Sequence, residues 1–298
     1  MKNNSLMVVI DMMLTELFGV SRASQNTIDA YKRDLKQFSI FCSDNNLTSI
    51  KQITEKHIRF FVMTMNQLEL DRKSISRHLS SLRRLFNFAL RNELIENNPM
   101  NKISNPKSKR KLPETISLDS FLEIYRFIEE ENDLLVINRN KAIFELLYGC
   151  ALRVSELCGL NIGDVDLIKM HVRVLGKGSK ERIIPLGSKS FDVIKEYFET
   201  LSCRHFNEPI FLSKNNKRIS RFAVYKIVNK YLSKVTDIKK KSPHILRHAA
   251  ATHMLDNQAD IMAVKEILGH ENLSTTQIYT HISVERLKNS YKRAHPKS

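Results

Sequence analysis

The sequence predicts a mainly α protein carrying one small β-hairpin and divided into two domains. Three observations carry this. Apolar residues recur at helical spacing along most of the chain; one pair of short β-branched runs flanks a glycine-containing turn; and a proline-bearing basic stretch near residue 100 interrupts both patterns. At 298 residues, 42% hydrophobic and 27% charged, the chain is of globular type and long enough to bury a sizeable core.

The first domain is expected over residues 1–97. Ile28, Tyr31, Leu35 and Phe38 share a helical face, and so do Ile58, Phe61, Val62, Met65 and Leu68 after a Thr54 cap. A third helix is expected over about 71–94, with Ile75, Leu79, Leu82, Phe86 and Ala89 as its apolar stripe. At roughly 100° per residue, Lys73, Arg77, Arg84 and Arg91 fall together on the opposite face. A solvated outer face would also carry charge, but here all four charges are positive, with no acid in the line for i,i+4 pairing. The stripe is therefore taken as DNA-facing.

Residues 98–113 form a basic linker. From Asn97 to Pro113 there are three prolines and no acid, with Lys102, Lys107, Lys109, Arg110 and Lys111 close together. Such a stretch is either plain solvated chain or a strap across a phosphate backbone. The charge of the whole molecule favours the strap, with Lys107, Lys109, Arg110 and Lys111 as its DNA-binding cations.

The second domain, residues 114–298, is mostly helical. Helices are expected over Ser117–Asn132 and Asn140–Leu160, then near 188–201, 220–234, 243–256, 260–268 and 274–291. Between them His171–Leu175 and Glu181–Leu186 read as a hairpin around Gly176-Lys177-Gly178-Ser179-Lys180.

Composition narrows the partners. Lys and Arg number 48 against 32 Asp and Glu, a formal charge of +16, which calls for a polyanion: nucleic acid or an anionic membrane surface. No run approaches the roughly 18 apolar residues of a spanning helix, and Asp11 cuts the run Leu6–Ile10 too short for a secretory segment. Cys42, Cys150, Cys158 and Cys203 form no CxxC pair and read as reduced thiols. The expectation is a cytoplasmic, nucleic-acid-binding protein.

Four places could carry chemistry. Ser242-Pro243 is a strong helix start, and His244, Arg247 and His248 follow at i, i+3 and i+4, which suits an anion clamp beside the positive end of a helix. A cap with a surface charge would look the same. His244 and His248 also have metal-ligand spacing, but Ile245 stands where an HExxH zinc site needs Glu, and Asp256, Asp260, Glu266 and Glu271 are scattered, so no metal is expected. Lys177 at a hairpin tip lies outside any P-loop pattern, and on its own is most simply a solvated turn residue. Gly269 reads as a helix C-cap leaving His270 at a junction, with Tyr279 in LSTTQIYTH beyond it.

Taken together, these blocks resemble the tyrosine recombinase (phage integrase) family, most of all its bacterial Xer site-specific recombinases. LLYGCALRVSELCGL is similar to the block with the first catalytic arginine, and VLGKGSKERIIPLG to the lysine hairpin. HILRHAAATHML is similar to the His-x-x-Arg block, and LGHENLSTTQIYTH to the His/Tyr block. The resemblance implies a two-domain, C-shaped DNA clamp made of an all-α core-binding domain and an α+β catalytic domain, with no further arm-binding domain. It implies that Tyr279 attacks a scissile phosphate to give a 3′-phosphotyrosyl link, that Arg153, Arg247 and His270 bind the phosphate oxygens, that Lys177 is the general acid assisted by His244, and that Glu156 supports Arg153. Because that link stores the broken bond, neither ATP nor any other cofactor is expected. The implied partner is double-stranded DNA with a specific recombination site, bound by a homo- or hetero-tetramer on two duplexes, with a sister recombinase and a DNA translocase as candidate partners. The tail after His281 is expected to dock on the next protomer. The implied role is resolution of chromosome or plasmid dimers. The alternatives are a mobile-element integrase, a type IB topoisomerase-like enzyme, or a DNA-binding protein without activity.

Overall fold

The protein's computed structural model describes residues 5–19, 25–106, 115–176, 181–201, 205–213 and 215–269. They divide into two compact units, Met1–Lys111 and Leu112–Ser298.

In the described part of the first unit there are four α-helices: α1 (Leu6–Gly19), α2 (Gln25–Asp44), α3 (Glu55–Gln67) and α4 (Arg72–Arg91). The apolar run that Asp11 interrupts is the amphipathic helix α1. It buries Leu6, Val9, Ile10, Met13, Leu14 and Leu17 and leaves Asp11 exposed. Helix α4 starts where the Asp71 carboxylate accepts from the Ser74 amide at 2.6 Å. It buries the expected stripe, from Ile75 to Ala89. Phe38 forms the centre, edge-on to Phe61 at 5.1 Å and to Phe86 at 6.3 Å between ring centroids. The core continues past residue 97: Asn98, Met100 and Ile103 are buried, and Arg83 donates to the Ile103 carbonyl and to Asn105 at 2.8 Å each. Thus the first part of the stretch expected to be linker is folded onto unit one, because Met100 and Ile103 give it apolar surface to bury.

The second unit contains α5 (Leu118–Glu129), α6 (Leu134–Phe144), α7 (Val154–Gly159), a sheet of β1 (Val165–Asp166), β2 (His171–Leu175) and β3 (Glu181–Pro185), then α8 (Ser188–Glu199), α9 (Arg221–Val235), α10 (Pro243–Asp256) and α11 (Ile261–Leu268). The sheet is antiparallel in the order β1-β2-β3, with Val174 opposite Arg182 and Val172 opposite Ile184. Strand β1, too short to leave a periodic signal, extends the expected hairpin to three strands.

The expected continuous helix over Asn140–Leu160 is broken. Helix α6 runs into a π-turn over Glu145–Gly149, in which the Cys150 amide donates to the Glu145 carbonyl at 3.0 Å. The Glu145 carboxylate is fully buried and holds the turn: it accepts from the Tyr125 hydroxyl and, at 2.8 Å, from Ser190. A Cβ on Gly149 would lie 2.6 Å from both Glu145 Oε2 and Ser190 Oγ, so only glycine fits. Ala151 then turns the chain through a left-handed conformation, φ 50°, before α7 begins.

Candidate active site

Helix α7 opens with Arg153 at its N-cap. Its third residue, Glu156, reaches back so that Oε2 accepts the Arg153 amide at 2.7 Å and Oε1 accepts Arg153 Nη1 at 2.8 Å. One carboxylate therefore caps the helix and fixes the arginine. The same carboxylate takes a second guanidinium: Arg182 on β3 donates from Nη1 and Nη2 to Oε1 and Oε2 at 2.8 and 2.9 Å. A third, Arg247 on α10, has Nη1 3.8 Å from Oε2.

Burial sets the electrostatics. Burial alone would push the Glu156 carboxyl up, but the hydrogen bonds from Arg182 and Arg153 outweigh it and hold the carboxyl below its ordinary value. Burial, with Arg153 next to it, pulls the Arg247 guanidinium down to about 10, against a partial counterweight from Glu156. Arg247 still carries its charge at pH 7. One carboxylate thus faces three guanidiniums, and the cluster is left with an excess of positive charge. The chemistry that suits it is binding an anion with developing negative charge, such as a phosphodiester in substitution.

The guanidiniums are also held by backbone. Arg247, 7% exposed, donates to the carbonyls of Ala151 and Leu268. Arg153 Nη2 donates to the Gly269 carbonyl at 2.8 Å, and Arg182 Nε to that of Ile267 at 3.0 Å. The final turn of α11 therefore offers three successive carbonyls to three arginines. These are the orphan acceptors at the negative end of a helix dipole. Gly269 ends the helix in the left-handed region, φ 57°, as the sequence suggests.

Around this centre the expected residues divide. Pro243 opens α10 with Ser242 at the N-cap position, although the Ser242 side chain makes no capping bond. Of the i, i+3, i+4 set, Arg247 turns inward while His244 and His248 are exposed. Lys177, His270 and Tyr279 lie outside the described residues, as do the tail and Lys107, Lys109, Arg110 and Lys111. In unit one Lys73 is exposed and Arg84 half-buried. Arg77 pairs with the buried Asp34 of α2 and Arg91 with Glu16 of α1, so acids from neighbouring helices meet a stripe that has none of its own. Among the described residues no cluster of three His, Cys, Asp or Glu side chains has the arrangement to hold a metal ion. No described helix is long and apolar enough to cross a membrane.

Sequence reasoning missed Arg182 and the Ala151 carbonyl. A signal for Arg182 was present. On β3 it shares the inward face with Ile184, opposite the buried Val172 and Val174, and a charge in an inward place needs a partner.

Comparison with known proteins shows the family. The model of the phage integrase family matches residues 115–286, and that of the phage integrase N-terminal SAM-like domain matches residues 10–93. The chain belongs to the phage integrase family of tyrosine recombinases. Its family relatives include the tyrosine recombinase XerD of Staphylococcus epidermidis, 37% identical over 281 residues, 92% of this chain and 94% of that one. The tyrosine recombinase XerC of Pelobacter propionicus is 39% identical over 279 residues, covering 92% and 91%. Among solved integrase structures, a lambda integrase dimer bound to a COC′ core site matches with TM-score 0.70 at 19% identity, over 94% of this chain and 100% of that one. The Tn1549 transposon integrase in complex with circular intermediate DNA matches with TM-score 0.68 at 20% identity, over 96% and 99%. At these identities the two structures speak for the integrase fold alone.

Proposed function

We propose that this phage integrase family member is a site-specific DNA recombinase that resolves chromosome or plasmid dimers. The observation that carries the reading is the meeting of Arg153 and Arg247, distant in sequence, around the buried Glu156. The result is a guanidinium pair with positive charge to spare, built for one phosphodiester.

In this reading Tyr279 is the nucleophile. A phenol of pKa about 10 is a weak nucleophile at pH 7, and neighbouring cations favour its ionised form. Its oxygen forms a bond to the scissile phosphorus, and the bond from phosphorus to the 5′-oxygen breaks. Lys177, with His244 assisting, delivers the proton that leaves a 5′-hydroxyl. Arg153, Arg247 and His270 hold the non-bridging oxygens as charge develops on them. The 3′-phosphotyrosyl link keeps the energy of the broken bond, so rejoining by an incoming 5′-hydroxyl runs the same steps backwards without ATP or a metal.

Exchange between two duplexes calls for four such sites. We assign the working form to a tetramer on two copies of one DNA site, made of this chain alone or with a sister recombinase, and a DNA translocase is a candidate activator. The exposed Lys73 and the cations of residues 107–111 would grip the backbone. Four cysteines that read as reduced thiols support a cytoplasmic setting for this activity. Dimer resolution is favoured over a mobile-element role by the XerD and XerC names of the relatives at 37–39% identity.

The test starts from a randomised duplex pool, from which immobilised Tyr279→Phe protein retains the bound fraction. The selected site, nicked next to each candidate scissile phosphate in turn, is incubated with wild type or Tyr279→Phe without metal or ATP, then run on a denaturing gel. A covalent adduct in wild type only is expected, and no adduct in either sinks the reading. On a plasmid with two copies of the site, separation into two circles supports the resolvase role. Relaxation without recombinant product would instead indicate a topoisomerase.

A further inference from the structure

We infer that Arg182 is a positioning residue for Arg153 and Arg247, an inference that rests on the phosphate-binding roles proposed for those two. Arg182 stands on the inward face of β3, paired across the sheet with the buried Val174. Its fork is engaged inside the protein. Nη1 and Nη2 bind the two oxygens of Glu156, and Nε binds the Ile267 carbonyl. It acts through these neighbours rather than on a DNA phosphate.

Two contacts transmit the effect. The first is Glu156, which Arg182 shares with Arg153 and Arg247. Anchored on both oxygens by Arg182, the carboxylate takes one hydrogen bond from the Arg153 guanidinium, besides the one from its amide, and stays 3.8 Å from Arg247. Without that anchor, the carboxylate is attracted to the two phosphate-binding guanidiniums and neutralises charge they would present to DNA. The second contact is the end of α11. Ile267, Leu268 and Gly269 accept in succession from Arg182, Arg247 and Arg153, so one helical turn fixes β3, α10 and the start of α7 against each other. Arg182 also fills the space over Gly269, where a Cβ would meet its Cζ at 3.2 Å. A lysine keeps the charge but not the fork, and its single nitrogen cannot reproduce all three contacts.

The test compares full-length wild type, Arg182→Met, Arg182→Lys, Glu156→Gln and Glu156→Gln/Arg182→Met on the nicked duplex selected above. Binding is read by gel shift, and cleavage by single-turnover adduct formation at saturating protein. Arg182→Met is expected to bind within about threefold of wild type yet to cleave about 10²-fold more slowly, the size of effect a small misplacement of catalytic groups produces. Arg182→Lys should fall between, and the double variant should be no slower than Glu156→Gln, since the two residues act as one unit. Cleavage in Arg182→Met within about twofold of wild type overturns the positioning role, and so does a parallel loss of binding and cleavage. If Arg182→Met does not fold, Arg182→Lys decides, and full cleavage by it overturns the role. A wild type that forms no Tyr279-dependent adduct overturns the functional reading, and the positioning role with it.

Discussion

Arg247 donates a hydrogen bond to the carbonyl oxygen of Ala151, a fully buried residue whose backbone sits at φ 50°. The left-handed conformation is what turns that carbonyl toward α10 after the π-turn. An L-residue other than glycine pays roughly 1–2 kcal/mol for it, so strain and arginine placement are linked at one position.

Replacing Ala151 tests the link. Ala151→Gly removes the strain but adds freedom to the unfolded chain, for a net gain of up to about 1 kcal/mol. Ala151→Val adds a β-branch in a filled, left-handed position and should lose more than about 2 kcal/mol. Denaturant unfolding of both variants reads the difference. A stability order of Val above Gly would contradict the account.

Gly269→Ala should be destabilising by about 1–2 kcal/mol from backbone strain alone. The added methyl also presses on the Arg182 guanidinium at 3.2 Å. We expect adduct formation to slow by more than DNA binding weakens. Equal losses in the two would mean that the turn of α11 does not act on the arginines.

Acid should remove stability through Glu156. Its carboxyl is held below the ordinary 4.5, so the folded protein releases that proton at a lower pH than the unfolded chain. The resulting stabilisation is complete above about pH 4.5 and disappears as pH falls through the lower folded value. The stability gap between wild type and Glu156→Gln should thus be constant at neutral pH and narrow below pH 4.5. A gap independent of pH would mean that Glu156 is not held as a charged group.

A second acid effect belongs to His253. Burial, opposed by Asp256, lowers its imidazole below the ordinary 6.5. Its Nδ1 lies 2.8 Å from the Tyr148 hydroxyl, itself pushed above its ordinary value by burial and by Glu145. The phenol keeps its proton and the imidazole stays neutral, so the two share an uncharged hydrogen bond. The folded state takes up a proton at His253 less readily than the unfolded chain, so stability falls as pH drops below 6.5. His253→Gln should flatten that part of the stability profile, measured by thermal unfolding from pH 7 to 5.

The four cations of the α4 stripe should separate by salt dependence. A cation that contacts phosphate lowers the slope of log K against log salt by about 0.9 when removed. We expect such a change for the exposed Lys73, and for Lys107, Lys109, Arg110 and Lys111. Arg77→Ala should instead destabilise unit one, because it strips a partner from Asp34, which is 2% exposed. An unaltered unfolding midpoint in Arg77→Ala would contradict a stabilising role for the pair.

How much of this was legible depends on the range of each interaction. The stripe from Ile75 to Ala89, the alternation of β2, the Gly269 cap and the reach of Glu156 back to Arg153 are short-range patterns, and each is in the structure. The break inside Asn140–Leu160 was not legible, because its cause is Glu145 meeting Tyr125 and Ser190 from distant parts of the chain. The same holds for Arg77 and Arg91. A helix read by itself shows which face is charged, but not that Asp34 and Glu16 lie against it.

Helical class, basic character and the four family blocks can be read from the chain alone, since composition, period and motif spacing are local properties. Tertiary structure decided that Arg153, Arg182 and Arg247 share one carboxylate and one helix end. The physical reason is that buried charges must find partners, and packing, not sequence distance, determines which partners are within reach.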